Sequence, residues 1–166
     1  MLSLEQTLLA KITDLPTLIN KINGWKNDNK KIVFTNGVFD LLHLGHITYM
    51  AKAAEMGDKL VIGLNSDASV KRLKGENRPV NDQNNRAALL AAMFFIDAIV
   101  VFEDDTPLKL ITKLMPDVLV KGADYSIENI AGAKEVLANG GEVKTITLVD
   151  GHSSTNIINK IKAQVN

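Results

Sequence analysis

The sequence predicts an α/β fold built on a doubly wound, parallel five-stranded sheet. Short apolar segments rich in β-branched residues recur from residue 31 onward. Helical segments separate them, and strands that alternate with helices form parallel sheets. The apolar segments are nearly continuous, which is typical of strands covered by helices on both faces.

The first 26 residues are predicted to form a helical extension before a main domain of residues 27–166. Ser3 and Gln6 have the spacing of a capping box, and apolar residues then recur at helical intervals. Asp14 followed by Pro16 indicates a second helix start. We interpret these helices as an amphipathic pair packed on the core. The alternative is a contact between subunits, which would give a homodimer.

Five strands and five helices are then predicted in alternation. The strands are residues 31–35, 59–65, 98–102, 117–121 and 142–149. The helices are residues 42–56, 84–94, 107–115, 128–139 and 155–164. The longest irregular segment, residues 66–84, is expected to hold a short helix near 67–73 and a mobile basic arm. In such a sheet the site lies at the carboxyl ends of the strands.

Composition and charge exclude several classes of protein. Among 166 residues, 19 Lys and Arg balance 19 Asp and Glu, so no net field favours nucleic acid or an anionic membrane as a partner. The absence of cysteine excludes disulfides, thiolate metal sites and cysteine nucleophiles. No segment has the pattern of a signal peptide or a membrane span. We therefore expect a cytoplasmic protein.

The segment after the first strand, TNGVFDLLHLGH, holds the strongest candidate for a site. His43 and His46 lie three residues apart at a predicted helix start, so they share one face near its positive end. Gly45 allows a ligand to approach closely. This arrangement suits a phosphate group, although no G-x-G-x-x-G and no Gly-Lys pair is present.

Two other interpretations of the histidine pair stay open. The pair could be an ordinary polar first turn of a helix. It could also ligate zinc, with the third ligand supplied by Asp40, Asp67 or His152.

The motifs carry a family resemblance. TNGVFDLLHLGH resembles the signature of the HxGH nucleotidyltransferase superfamily, in its cytidylyltransferase-like branch. Five further segments, in order, resemble the adenylyltransferases that act on D-glycero-β-D-manno-heptose 1-phosphate: GLNSD, LKGENRPV, FEDDTPLKLI, PDVLVKGADY and GHSSTNIINKI. The resemblance spans roughly residues 30 to 162.

The resemblance implies a Rossmann-like nucleotidyltransferase fold and an activity. AMP would pass from ATP, with Mg²⁺, to the sugar 1-phosphate, giving ADP-heptose for lipopolysaccharide core biosynthesis. In many bacteria this activity is the C-terminal half of a bifunctional protein that also carries a sugar kinase. Because this chain is too short to hold a kinase, we expect a stand-alone transferase.

The resemblance also implies which residues form the site. His43 and His46 would donate to the α- and β-phosphates, and Lys71 and Lys74 would clamp phosphate from the basic loop. The implied nucleotide-binding residues are Thr35, Asn36, Gly37, Phe39, Gly45, Arg86, Lys121, Gly122, Asp124, Ser153, Ser154 and Thr155. The implied acceptor-binding residues are Asp40, Asn65, Asp67 and Arg78. No protein ligand for Mg²⁺ is expected, because the ion would bridge triphosphate oxygens.

Structural alternatives stay open for many of these residues. Arg86 could form a structural salt bridge, Asp67 could cap the next helix, and Asp40 could cap its helix and orient the histidines. Residues 153–155 could serve only as an N-cap, and residues 121–124 only as a turn. The loop lysines could be ordinary solvated charges.

The sequence leaves three other functions open. One is a cytidylyltransferase that acts on glycerol 3-phosphate or another alcohol phosphate. Another is a metal-dependent phosphohydrolase, and the third is a nucleotide-binding module without turnover.

Overall fold

The computed structural model describes residues 2–123, 126–147 and 151–165. The elements in chain order are α1 (Leu4–Leu9), β1 (Ile12–Thr13), α2 (Leu15–Asn27), β2 (Ile32–Gly37), α3 (Leu44–Ala54), β3 (Lys59–Asn65), α4 (Asp67–Lys74), α5 (Gln83–Ala91), β4 (Ala98–Phe102), α6 (Leu108–Leu114), β5 (Val118–Gly122), α7 (Ala133–Ala138), β6 (Glu142–Ile146) and α8 (Ser154–Val165). A 3₁₀ turn at Ile127–Asn129 precedes α7.

The sheet is parallel throughout, with the strand order β1-β4-β3-β2-β5-β6. From β2 the chain adds β3 and β4 on one side and then crosses back to add β5 and β6 on the other. The predicted doubly wound α/β fold is confirmed. Its switch point lies between β2 and β5, and ligands bind such folds at the carboxyl ends of those strands.

The sheet has six strands, because the helical extension contributes one that the sequence analysis missed. Ile12 and Thr13 pair with Ile99 and Val100 at the edge of the sheet. Two residues are too few to show the alternation or apolar run that identifies a strand. The expected helix starts are present on either side, since Ser3 and Gln6 form a capping box and the Asp14 side chain caps α2.

The single helix predicted at residues 128–139 is divided in the structure into the 3₁₀ turn at Ile127–Asn129 and the short helix α7 at Ala133–Ala138. Gly132 adopts a φ of 86°, and a Cβ there would lie 2.7 Å from an Ile111 methyl carbon. The chain therefore turns at Gly132 before α7 begins. The predicted strand 142–149 ends at Ile146, and residues 148–150 lie outside the described part of the chain.

Buried apolar side chains cover both faces of the sheet, as the continuous apolar strands predicted. On one face, Phe34 of β2 packs with residues of α2, α6 and α7. On the other face, the neighbouring Val33 packs with residues of α3 and α5. Successive side chains of a strand point to opposite faces, so a three-layer core follows directly.

The surface retains some apolar residues. Leu4 of α1 is 90% exposed and Phe94, just after α5, is 92% exposed. The homodimer stays a prediction. Within the described ranges, no helix combines the length and apolarity needed to cross a membrane.

Replacing Gly63 should test how tightly the central strands pack. A Cβ at Gly63 would lie 2.8 Å from Phe34 Cζ and 3.2 Å from Leu110 Cδ2. Because the added carbon would overlap these side chains and force them to shift, we expect Gly63→Ala to lower the free energy of unfolding by about 1 to 3 kcal/mol in urea titrations. Gly24→Ala is the matched control, since Gly24 lies in α2 with nothing within 4 Å of the added carbon. The control should raise stability by about 0.5 to 1 kcal/mol, and equal effects would contradict the packing argument.

Candidate active site

A cavity of about 650 Å³ opens at the carboxyl ends of the central strands. Its walls come from the ends of β2, β3 and β5, from the starts of α3 and α8, and from the loops after α4 and β4. The sequence-predicted residues that line it are Asn36, Gly37, Phe39, Asp40, His46, Asn65, Lys74, Arg78, Lys121, Gly122, Ser154 and Thr155. The cavity therefore lies where the topology predicts a ligand site.

The loop after β2 leads sharply into α3. Phe39 adopts a left-handed backbone with φ of 46°, and its ring lies against Gly37, where a Cβ would come within 2.9 Å. His43 is the N-cap of α3 and makes no side-chain capping hydrogen bond. The N-cap side chain therefore satisfies none of the first N–H groups of α3, and uncapped N–H groups of this kind suit an anion.

The two motif histidines stack on each other. The ring centroids of His43 and His46 are 3.8 Å apart with an interplanar angle of 21°, and the Phe39 ring packs edge-on against His46. Both Nδ1 atoms are buried and have no hydrogen-bond partner among the described residues. A Cβ at Gly45 would lie 3.1 Å from the His43 ring, so the glycine makes room for the stack.

The stacked rings favour the uncharged state of histidine. Burial, together with the charge of neighbouring His43, lowers the pKa of His46 to about 4, although a hydrogen bond with the Leu41 backbone acts in the opposite direction. Burial and the nearby His152 also lower the pKa of His43. At neutral pH the His46 imidazole in the cavity wall is therefore uncharged.

The zinc interpretation receives no support from this geometry. The planes of His43 and His46 are nearly parallel, so their nitrogens do not converge on one point as tetrahedral ligands must. Across the described ranges there is no group of three His, Cys, Asp or Glu side chains that could hold a metal ion.

The start of α8 is joined to the histidine loop. The Ser154 hydroxyl donates to the Leu41 carbonyl at 2.9 Å and accepts from the Leu41 N–H at 3.4 Å. The Ser153 hydroxyl accepts from the Asn156 N–H, which is a capping bond. Ser154 and Thr155 line the cavity and Ser153 does not. Two helix N-termini therefore meet at one wall of the cavity.

Asp40 anchors the basic loop and does not cap a helix. Its carboxylate is 1% exposed and accepts from Arg78 Nε at 2.6 Å and from the N–H groups of Val80 and Asn81. Burial works to raise the pKa of Asp40, but the hydrogen bonds from Asn81, Val80 and Arg78 outweigh burial and hold it below its usual value. The capping alternative is wrong, because His43 is the N-cap of α3.

Arg86 is enclosed by the protein. It is 0% exposed and donates to the carbonyls of Val38, Asn65 and Asn81 and to the Asp67 carboxylate. This matches the salt-bridge alternative, and it leaves the guanidinium without the surface that a phosphate contact needs. Asp67 faces this arginine, and it does not cap α4, because the Ser66 hydroxyl does so.

The predicted short helix of the basic segment is α4, and both loop lysines lie on its second half. Lys74 lines the cavity and Lys71 does not. Arg72 does not line the cavity, but it pairs at 2.7 Å with Asp105, which does.

The remaining predicted residues differ in how they reach the cavity. Thr35 is 0% exposed, and its hydroxyl lies 2.7 Å from the Tyr49 hydroxyl, behind the cavity wall. Asn36 lines the cavity, and its Oδ1 is buried without a hydrogen-bond partner in the described part of the chain. Asn65 donates to the Ser69 hydroxyl. Asp124 lies outside the described residues.

Comparison with known proteins identifies the family. The model of the cytidylyltransferase-like family matches residues 34–160. The chain belongs to the cytidylyltransferase-like family. The predicted membership is thereby confirmed, and with it the nucleotidyltransferase class of enzyme.

Close relatives of this cytidylyltransferase-like chain are longer proteins. It is 57% identical over 152 residues to the bifunctional protein HldE of Geobacter metallireducens, covering 92% of this chain and 31% of the relative. It is 59% identical over 133 residues to the bifunctional protein HldE of Campylobacter fetus, covering 80% and 28%. The chain thus spans about a third of the length of these curated relatives.

Two solved structures resemble the fold. The lipopolysaccharide core biosynthesis protein of Thermoplasma volcanium matches with a TM-score of 0.58 and 29% identity, over 72% of this chain and 97% of that one. Pantoate-beta-alanine ligase of Francisella tularensis matches with a TM-score of 0.53 and 14% identity, over 93% of this chain and 78% of that one. The second likeness concerns the fold alone.

The sequence analysis missed several residues that line the cavity of this cytidylyltransferase-like domain. They are Val38, Tyr49, Leu73, Asp105, Thr106, Pro107, Asn129, Ile130 and Ala131. Tyr49 follows His46 by three residues, so helical spacing could have placed it beside the motif. Residues 129–131 fall in a segment predicted as helix, and no sequence pattern marked them as ligand-facing.

The depressed pKa of His46 predicts a pH dependence of stability. An unfolded histidine takes up its proton near pH 6.5, and His46 in the folded protein takes it up only near pH 4. Stability from this group is therefore complete above pH 6.5 and is lost as pH falls toward 4. Between pH 7 and pH 5, the free energy of unfolding measured in urea should fall by about 1 to 2 kcal/mol more in the wild type than in His46→Asn. The same loss in both proteins would contradict the assignment.

Proposed function

We propose that this chain transfers AMP from ATP to D-glycero-β-D-manno-heptose 1-phosphate, releasing pyrophosphate and forming ADP-heptose. The observation that carries the proposal is the stacked histidine pair at the N-terminus of α3, of which His46 lines the cavity at the carboxyl ends of the central strands. The similarity to bifunctional HldE proteins and to a lipopolysaccharide core biosynthesis protein supports this acceptor and this biosynthetic role.

The reaction brings anions together. An oxygen of the sugar phosphate forms a bond with the α-phosphorus of ATP, and the bond from that phosphorus to the bridging oxygen of the β-phosphate breaks. Pyrophosphate leaves with the electron pair. A phosphate monoester is ionised near neutral pH, so neither a strong general base nor a covalent intermediate is needed. What the protein must supply is in-line placement and donors that meet the developing charge.

The cavity residues fit this requirement. His46 lines the cavity, as do Ser154 and Thr155 at the start of α8. The N–H groups at the N-termini of α3 and α8 are groups that suit an anion. An anionic phosphate close to the rings would raise the pKa of His46, because a nearby negative charge favours the protonated form. Lys74 and Lys121 add cationic side chains around the opening.

Mg²⁺ enters this proposal as part of the substrate. The carboxylate of Asp40 is occupied by Arg78, and Asp105, which also lines the cavity, pairs with Arg72. These carboxylates do not form a cage for a divalent ion, so the ion would arrive on the oxygens of ATP. Because ATP is a cytoplasmic nucleotide, we place the enzyme in the cytoplasm.

A product assay on His46→Ala tests both the reaction and the role of the motif. Wild-type protein should release pyrophosphate with ATP and the heptose 1-phosphate, and not with CTP and glycerol 3-phosphate. His46→Ala should keep its affinity for ATP within about tenfold of wild type, while turnover falls by on the order of 10²-fold or more.

Each other result identifies an alternative. Product with CTP and an alcohol phosphate would favour the cytidylyltransferase. Free phosphate in place of pyrophosphate would indicate a phosphohydrolase, and ATP binding without any product would indicate a binding module. Equal losses of affinity and turnover in His46→Ala would contradict a specific role of His46 in stabilising the transition state.

The two loop lysines provide a matched pair of variants. Lys74 lines the cavity and Lys71, one helical turn earlier on α4, does not. Because a lysine that contacts phosphate makes a charge-assisted hydrogen bond, Lys74→Ala should lower kcat/KM for ATP by about ten- to a hundredfold. Lys71→Ala should stay within about twofold of wild type. A larger loss of kcat/KM in Lys71→Ala than in Lys74→Ala would contradict the assignment of Lys74 as the phosphate contact.

A further inference from the structure

We propose that His152 is a third phosphate-binding histidine, which holds the triphosphate of the nucleotide from the α8 side of the site. The inference rests on the proposed use of a nucleoside triphosphate and adds a residue outside the HxGH motif. His152 lies two residues before Ser154, the first residue of α8. It is exposed at the surface, so its ring is accessible to a ligand.

The position of the ring relative to His43 is the first argument. The His43 and His152 ring centroids are 6.3 Å apart with an interplanar angle of 24°. His43 in turn stacks on His46. Charge-assisted hydrogen bonds to phosphate are about 2.8 Å long, so two nearly parallel rings at this separation can both reach oxygens of one phosphate group.

The backbone around the ring is the second argument. Gly151 has a φ of 80°, and no atom of the described residues lies within 4 Å of the place that a Cβ would take. Glycine is therefore favoured there by its backbone conformation. A Cβ at Gly45 would lie 3.1 Å from the His43 ring and 3.3 Å from His152 Cβ. Gly45 thus allows the two histidines to approach each other across the junction of α3 and α8.

The distribution of charge is the third argument. Burial lowers the pKa of His46 and so favours its neutral form, which brings no charge to the site. A triphosphate carries several negative charges, which need cationic or strongly donating groups at its outer end. An accessible imidazole beside the N-terminus of α8 can supply such a group.

The test uses inorganic tripolyphosphate as a probe that is independent of the acceptor. The chain has three histidines, so the ring signals in ¹H–¹⁵N spectra can be assigned by single substitutions. The His152 ring signals should shift on titration with tripolyphosphate. His152→Asn should raise the Kd for tripolyphosphate and the KM for ATP by about five- to twentyfold, with kcat and the KM for the sugar phosphate within about twofold.

Two further variants separate a phosphate contact from a structural role. His152→Lys keeps a cationic donor and should stay within about threefold of wild type in both constants. Lys160→Ala removes an exposed charge from the same helix and should change neither constant by more than about twofold.

Three results would overturn the proposal: unchanged binding in His152→Asn, equal losses in the Asn and Lys variants, or an equal loss in Lys160→Ala. If tripolyphosphate binding depends on His152 while no sugar phosphate gives product, the inference stands and the proposed function fails. If the enzyme is active and the His152→Asn substitution leaves its KM for ATP unchanged, the proposed function stands and the inference fails.

Discussion

The guanidinium of Arg86 holds the base of the cavity together. It has no exposed surface, and its four hydrogen bonds reach the loop after β2, the end of β3, the Asp67 carboxylate and the Asn81 carbonyl. A buried charge is tolerated only when hydrogen bonds and an opposite charge compensate its lost hydration. Arginine has five N–H donors in a fixed fork and meets all four acceptors at once, whereas lysine has only three donors. The loops that shape the site are therefore fixed to one another through a single side chain.

Charge is distributed unevenly between the base and the rim of the cavity. At the base, Arg86 pairs with Asp67, and the Asp40 carboxylate is compensated by Arg78 and two backbone N–H groups. His46 adds no charge at neutral pH, because burial lowers its pKa. Lys74 and Lys121 stand at the cavity wall. A protein with zero net charge can in this way present a local surface that suits an anion.

How far the sequence could predict this structure depends on the range of each interaction. The long strands and the histidine turn were predictable, because continuous apolar runs and helical spacing are local patterns. β1 was not predictable, because two residues carry no period. Asp40 and Asp67 were considered as helix caps because capping is also local, yet their partners Arg78 and Arg86 lie 38 and 19 residues away. Only the folded chain brings these charges together.

The separated motifs of the sequence contact one another in the structure, and this changes how each of them should be understood. The histidine loop bonds to α8 through Leu41 and Ser154, and to the basic loop through Asp40 and Arg78. A substitution at Asp40 would therefore alter the position of the basic loop as well as the charge near the histidines. Groups joined in one hydrogen-bond network have effects that do not add. Loss of activity after such a substitution would not by itself identify a group that touches substrate. Lys74 lines the cavity and has no such bond to the described residues, so it allows a more direct test of contact with phosphate.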